Sequence, residues 1–318
     1  ILFLLNLLNA ELIKPENLDT LSTIHVLFEW NQQPDAIGYN IQISHSNNFN
    51  ELLLDSIFND LIFIYKTNLD WNSQYFWRVK PIYDSISESS WLGVSSFYIA
   101  DSKFSDGTYD LLLNEQNDNE DLIIFGGWYS LYNIALDKFG REIWNSGSGN
   151  KFIVDVNKYG NLLGFEYNKP TIFNFNNDIL FQYAESLNKH DFLNFENNKF
   201  ILLKDYIIDG PIPLGPWTEL FQNLGYEANG ETIEFPWRGQ SILVIDENGN
   251  NLWEWNVFNY FNMNEYDSIA GTWLEAYHSG LYDYTHSNSI FFDENDNSIY
   301  LSSRNISRIT KISYPEGD

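Results

Sequence analysis

The sequence predicts an all-β protein, and three features carry that expectation. Apolar residues recur every second position in many short runs, the period of an extended chain whose side chains alternate between two faces. Glycine and asparagine gather in short clusters between those runs, where tight turns need residues that tolerate unusual backbone angles. Aromatic residues make up 17% of the chain, a high share that suits half-buried strands.

Charge narrows the function classes. Against 17 lysines and arginines stand 44 aspartates and glutamates, for a formal net charge of −27. A surface of that sign repels nucleic acid phosphate and anionic lipid, so nucleic acid is excluded as a partner. Cysteine is absent, which removes disulfides and thiolate metal sites from consideration. Acidic turns such as Asp293–Asn297 offer oxygen ligands, but without the loop spacing of an EF-hand, and neither a metal nor a cofactor is expected.

Residues Ile1 to Ala10 form an apolar run ending in a small residue. Ten residues cannot span a bilayer, and the stretch fits the back half of a secretory signal peptide, so residues 1–11 are expected to be its remnant. A secreted, periplasmic or cell-surface protein that does not span the membrane follows. No methionine or basic segment precedes the run, and the chain is expected to be a fragment.

Residues 12–101 carry strand-length pieces at Ile24–Trp30, Ile37–Ser44, Leu61–Tyr65, Tyr75–Ile82 and Ser95–Ile99, spaced as in a β-sandwich. The early Trp30, the run Tyr39–Ser44, and Leu69 followed six residues later by Tyr75-Phe76-Trp77-Arg78-Val79 resemble a fibronectin type III domain. That resemblance implies a tyrosine corner at Tyr75. Trp30, Tyr39, Trp77 and Trp91 admit two roles, a sandwich core or a platform for sugars, and in-register aromatics of this kind favour the core.

The small polar stretch Asp101–Asp110 reads as a linker, after which residues 102–318 form a second domain. A weak repeat runs through it. Asp137-Lys138-Phe139-Gly140 leads to Trp144, Asp246-Glu247-Asn248-Gly249 leads to Trp253, and Asn174–Phe181 is a looser copy. Each suits the outer hairpin of a four-stranded propeller blade. The stretch Tyr206–Gln240, rich in proline and tryptophan, is expected to form loops over one face.

The chemistry of this domain concentrates near its end. Ser289, Phe291 and Asp293 alternate with Ile290 and Phe292, a turn-rich stretch follows, and Ile299–Ser303 alternates again. His286 therefore precedes one strand of a hairpin and Arg304 follows the other, at the same end. His190, in Lys189-His190-Asp191-Phe192, also precedes a hairpin, so all three point toward one channel mouth. A histidine and an arginine so placed can bind an oxyanion and move a proton. His278 matches no pattern and is expected to be a loop residue.

The string His286-Ser287-Asn288-Ser289-Ile290, followed after a turn by Ser302-Ser303-Arg304, resembles the aryl sulfotransferase family, with further likeness at Trp253-Glu254-Trp255-Asn256 and around His190. The resemblance implies a partial β-propeller that moves a sulfuryl group from an aryl sulfate donor to a phenolic acceptor without a nucleotide. It also implies catalytic roles for His286, Arg304 and His190. Asn288, Trp255 and Asp283 are the substrate-binding candidates, with Asp283 and Asn288 flanking the histidine so as to orient it or pin its turn. Enzymes of this family pass the group through a sulfohistidine, and no histidine follows His286. The nucleophile is accordingly expected beyond Asp318, and the fragment itself is expected to be inactive. The alternative from another class is a secreted sandwich-and-propeller protein that binds glycans or another protein without catalysis.

Overall fold

The computed structural model describes residues 12–84, 89–103, 121–126, 132–195, 198–268 and 271–318. Among these the chain is nearly all β, as the alternating pattern predicts. The expected signal remnant and most of the expected linker lie outside the described residues. Two compact units result, one running to Asn150 together with Phe175–Asn177, the other comprising Lys151–Asn174 and Asp178–Asp318.

The first unit contains a two-sheet sandwich. Its strands are β1 (Leu12–Lys14), β2 (Asp19–Leu21), β3 (Val26–Trp30), β4 (Gly38–Ser44), β5 (Leu52–Phe58), β6 (Ile62–Tyr65), β7 (Ser73–Ile82) and β8 (Ser95–Ile99). One sheet has the order β1-β3-β6 and the other β2-β8-β7-β4-β5. Alternation decides the core: Val26, Phe28 and Trp30 of β3 and Tyr75, Trp77 and Val79 of β7 are all buried, and Phe28 meets Trp77 edge to face at 5.1 Å. Trp30, Tyr39 and Trp77 are therefore core residues, while the half-buried Trp91 stacks on Arg78 at 4.0 Å. The Tyr75 hydroxyl accepts the Asp70 backbone N–H at 2.7 Å, tying the strand back to the turn before it.

A small sheet, β9 (Ile123–Gly126), β10 (Asn133–Leu136) and β11 (Glu142–Asn145), also belongs to this unit. The link between β2 and β3 holds it, with Ile24 donating its backbone N–H to the Ile143 carbonyl at 2.9 Å and the Thr23 hydroxyl reaching the same oxygen at 2.9 Å. By chain contact the first unit runs on past this sheet to Asn150.

The second unit is a succession of antiparallel sheets. Strands β12 (Lys151–Val156), β13 (Leu162–Glu166), β14 (Lys169–Phe173) and β15 (Ile179–Gln182) pair in order. Next come β16 (Asn188–Phe195), β17 (Lys199–Pro211), β18 (Ile233–Ile245) and β19 (Asn251–Asn256), then β21 (Ser287–Asp293), β22 (Ser298–Ser303) and β23 (Arg308–Ser313), with the short β20 (Tyr282–Asp283) lying parallel to β18. The middle sheet is buried on both faces. Phe200, Leu202, Leu243 and Ile245 pack toward Leu163 and Phe165, whereas Ile201, Leu203, Ile242 and Val244 pack toward Ile290, Ile299 and Leu301.

The predicted repeat turns are real local structures. In both, the aspartate side chain caps the turn through two backbone N–H groups and the glycine closes it with φ of +74° at Gly140 and +81° at Gly249. A further turn of this kind, which the repeat did not include, is Asn157–Gly160, joining β12 to β13 in the same way.

Tyr206–Gln240 differs from the expectation of loops. β17 and β18 run on as a hairpin paired from Phe200–Ile245 out to Pro211–Ile233, with helix α1 (Thr218–Asn223) between them. Helix α2 (Gly271–Ser279) lays Trp273 against Trp217 at 5.5 Å and Tyr282 at 3.9 Å, so the extension carries an aromatic core of its own. Of the prolines that suggested loops, Pro211 ends β17 and Pro236 is accommodated within the ladder opposite Asp209.

Backbone approach is closest at Gly164 of β13, where a Cβ would collide with the Phe152 carbonyl of β12. Gly164→Ala is expected to cost about 2 kcal/mol, measured by urea unfolding of the chain.

Candidate functional site

A cleft of about 230 Å³ in the second unit is walled by residues of β16, β17, β18, β20 and the start of β21. His190, Asp205, Arg238, Asp283 and His286 line it together with Lys189. His190 stands in β16, and its ring lies 5.2 Å from that of His286, inclined at 71°. The two histidines that the sequence aimed at one mouth do meet.

Asp283 organises the pair's surroundings. Its Oδ2 accepts both His286 Nδ1 at 2.5 Å and an Arg238 terminal N–H at 2.8 Å. Burial works against ionising this carboxyl, yet the hydrogen bonds from His286 and Arg238, with the charge of Arg238, outweigh it and hold its pKa below the ordinary carboxylate range. Arg238 reaches Asp283 because β18 and β20 run parallel with these two residues directly in register.

His286 occupies the left-handed region, φ +42°, which costs a non-glycine residue about 1 kcal/mol. The buried side chain of Gln240 fixes it there. Gln240 Oε1 accepts from the Thr285 hydroxyl at 2.6 Å and from the Ser287 N–H at 2.8 Å, one bond on each side of His286. Two buried hydrogen bonds of about 1 kcal/mol each exceed the strain. The Arg304 N–H donates to the His286 carbonyl at 3.3 Å, and Asn305 Nδ2 donates to the Asp283 carbonyl at 2.6 Å.

His190 has a parallel support. Asn188 Oδ1 accepts both the His190 backbone N–H at 3.1 Å and its Nδ1 at 2.6 Å, while Asn188 Nδ2 donates to Asp205 Oδ1 at 2.8 Å. Burial lowers the pKa of His190, and the charge of His286 lowers it further against the pull of Asp205 and Asp283. The next residue, Asp191, joins β16 to β21 by accepting the Ile290 N–H at 2.6 Å, which sets the distance between the strands that carry the two histidines.

The remaining sequence candidates lie elsewhere. The Arg304 side chain is exposed and donates to Asn305 Oδ1 at 3.3 Å, outside the cleft wall. Asn288 sits half-buried in the bulge between Ser287 and Ser289. Trp255 is buried at another place, stacked on Tyr260 at 4.8 Å with its Nε1 donating to the Gly317 carbonyl at 3.0 Å. His278 ends helix α2 at the surface. Arg238 and Gln240 take the positions that sequence reasoning missed. Their signal was a cation and a carboxamide flanking Gly239 inside an otherwise apolar run, in a chain poor in basic residues.

Residues 231–318 match the family described as Arylsulfotransferase (ASST). That stretch holds Arg238, Gln240, Asp283 and His286, and His190 lies outside it. No curated protein matches the chain. Among the described residues no helix is long and apolar enough to cross a membrane, and no group of three or more histidine, aspartate or glutamate side chains could hold a metal ion.

Removing the Asp283 carboxylate leaves Arg238 half-buried without its partner. Asp283→Ala is expected to cost roughly 2 kcal/mol near neutral pH, below the full value of a buried pair because Arg238 is partly exposed. A carboxyl with a depressed native pKa contributes stability above its unfolded pKa and loses it as pH falls through the native one. The gap between wild type and variant should therefore narrow below about pH 4, read from denaturation midpoints across the acid range.

Proposed function

We propose that the cleft is the sulfuryl-binding site of a nucleotide-independent aryl sulfotransferase, acting on an aryl sulfate donor and a phenolic acceptor. The observation that supports this most is the convergence of His190, His286 and Arg238 on one cleft, with Arg238 and His286 inside the stretch similar to arylsulfotransferases. Sulfuryl transfer runs through a loose transition state whose charge spreads over the equatorial oxygens, by analogy with phosphoryl transfer, so fixed donors matter more than a strong base. Arg238, aligned by Asp283, supplies a fixed positive charge. The histidines bind the sulfuryl oxygens and handle the phenol proton. Arg304 enters this reading through its backbone N–H, which donates to the His286 carbonyl, while its side chain rests on Asn305 outside the cleft wall. Neither cleft histidine is assigned the sulfuryl-carrying part of the resembled mechanism.

The first unit is read as a fibronectin type III-like domain, which its sheet orders and the Tyr75 bond support. Export from the cytoplasm is proposed from the apolar run ending at Ala10.

The test is release of 4-nitrophenol from 4-nitrophenyl sulfate in the presence of a phenol, using protein from the whole reading frame. His286→Ala should lower kcat/KM by about 10²- to 10⁴-fold. A rate unchanged in that variant, or no sulfate found on the acceptor by mass spectrometry, would remove the reading.

A further inference from the structure

The groups behind the two histidines dictate their tautomers. Asp283 takes hydrogen bonds from His286 and Arg238 on one oxygen and, ionised, has no proton to give, so His286 Nδ1 must carry the hydrogen. Asn188 spends its amide on the Asp205 carboxylate, which turns its carbonyl toward His190, so that His190 Nδ1 is a donor too. Each imidazole in its neutral form therefore holds its lone pair on Nε2. A sulfate ester near neutral pH carries acceptors alone. Lone pair and oxyanion repel until one imidazole gains a proton.

We propose, resting on the reading of the cleft as a sulfuryl site, that binding a sulfate ester here takes up one proton at His286, while His190 stays neutral and accepts the hydrogen of a hydroxyl ligand. The charges around the pair favour this division. His286 faces the Asp283 carboxylate of β20, which stabilises an imidazolium, whereas His190 faces the neutral Asn188 carboxamide. Arg238 of β18 and Lys189 of β16 oppose a second positive charge, and Asp205 of β17 is engaged by Asn188 and Gln240. The lowered proton affinity of His190, from burial and then from the charge of His286, agrees with its staying neutral. One proton thus makes the two chemically similar residues unlike, one a donor to the oxyanion and the other an acceptor for a phenol.

Titration calorimetry with phenyl sulfate, in buffers of differing ionisation enthalpy, counts the protons taken up. At about pH 8 roughly one proton per bound ester is expected, with affinity weaker there than at about pH 6. His286→Gln should abolish the uptake. Imidazole ¹⁵N spectra of the unsubstituted protein give a second reading should that variant not fold: phenyl sulfate added near pH 7 should move His286 to the imidazolium pattern and leave His190 neutral. Binding without proton uptake, uptake that survives in folded His286→Gln, a proton found on His190, or no binding at pH 5.5 would each overturn the proposal. Transfer activity with pH-independent ester binding sinks this inference alone, whereas proton-linked binding without transfer sinks the catalytic reading alone.

Discussion

The Asp283 carboxylate is the constraint on which the cleft depends. A single oxygen receives a histidine from the chain three residues on and an arginine from a strand distant in sequence, so one charge fixes the tautomer of the first and the position of the second. Burial would favour the neutral acid, and only the two donors keep it ionised. Loss of either donor weakens the case for the charge that holds the other. The site is accordingly cooperative, and its members are not independent contributors.

Around this carboxylate the backbone is held by side chains. Gln240 spans the left-handed turn at His286 with two acceptor bonds, and Asn305 ties down the Asp283 carbonyl. Asp191 does the equivalent for the other histidine, linking its strand to β21. Strain at one residue is offset by bonds to its neighbours, an arrangement that fixes a functional side chain where strand geometry alone would not. The doubly buried middle sheet supplies the rigid frame, with alternate residues packed against the sheets on either side.

Much of this was legible in the chain. The hairpin bearing His286 and Arg304 at one end follows from alternation and turn chemistry, and the aspartate–glycine turns form as their local bonding requires. The meeting of His190 with His286 follows from their places near the starts of β16 and β21. Arg238 was hidden because Pro236 and the surrounding aromatics mimic a loop, when the segment in fact pairs along its whole length with β17. Arg304 was placed correctly on the backbone, but a long exposed side chain has no local rule for its direction, and it rests on Asn305. Trp255 shares the matched stretch yet is buried in the core of the unit, against Tyr260 and the Gly317 carbonyl, away from the cleft.

The sequence by itself determined the all-β class, the acidic surface, the strand and turn pattern and three of the cleft's titratable groups, His190, His286 and Asp283, because each depends on the identities of residues close along the chain. Only the tertiary structure decided that Arg238 and Asp283 form an ion pair, that Gln240 braces His286, and that Asn188 with Asp205 orients His190. Those partners lie between 2 and 47 residues apart, and the distant ones meet only through the register of β18 against β20 and the packing of successive sheets. Hydrogen bonds are directional and short, so a displacement of one residue in that register would dissolve the site while leaving the composition and local periodicity of the chain unchanged.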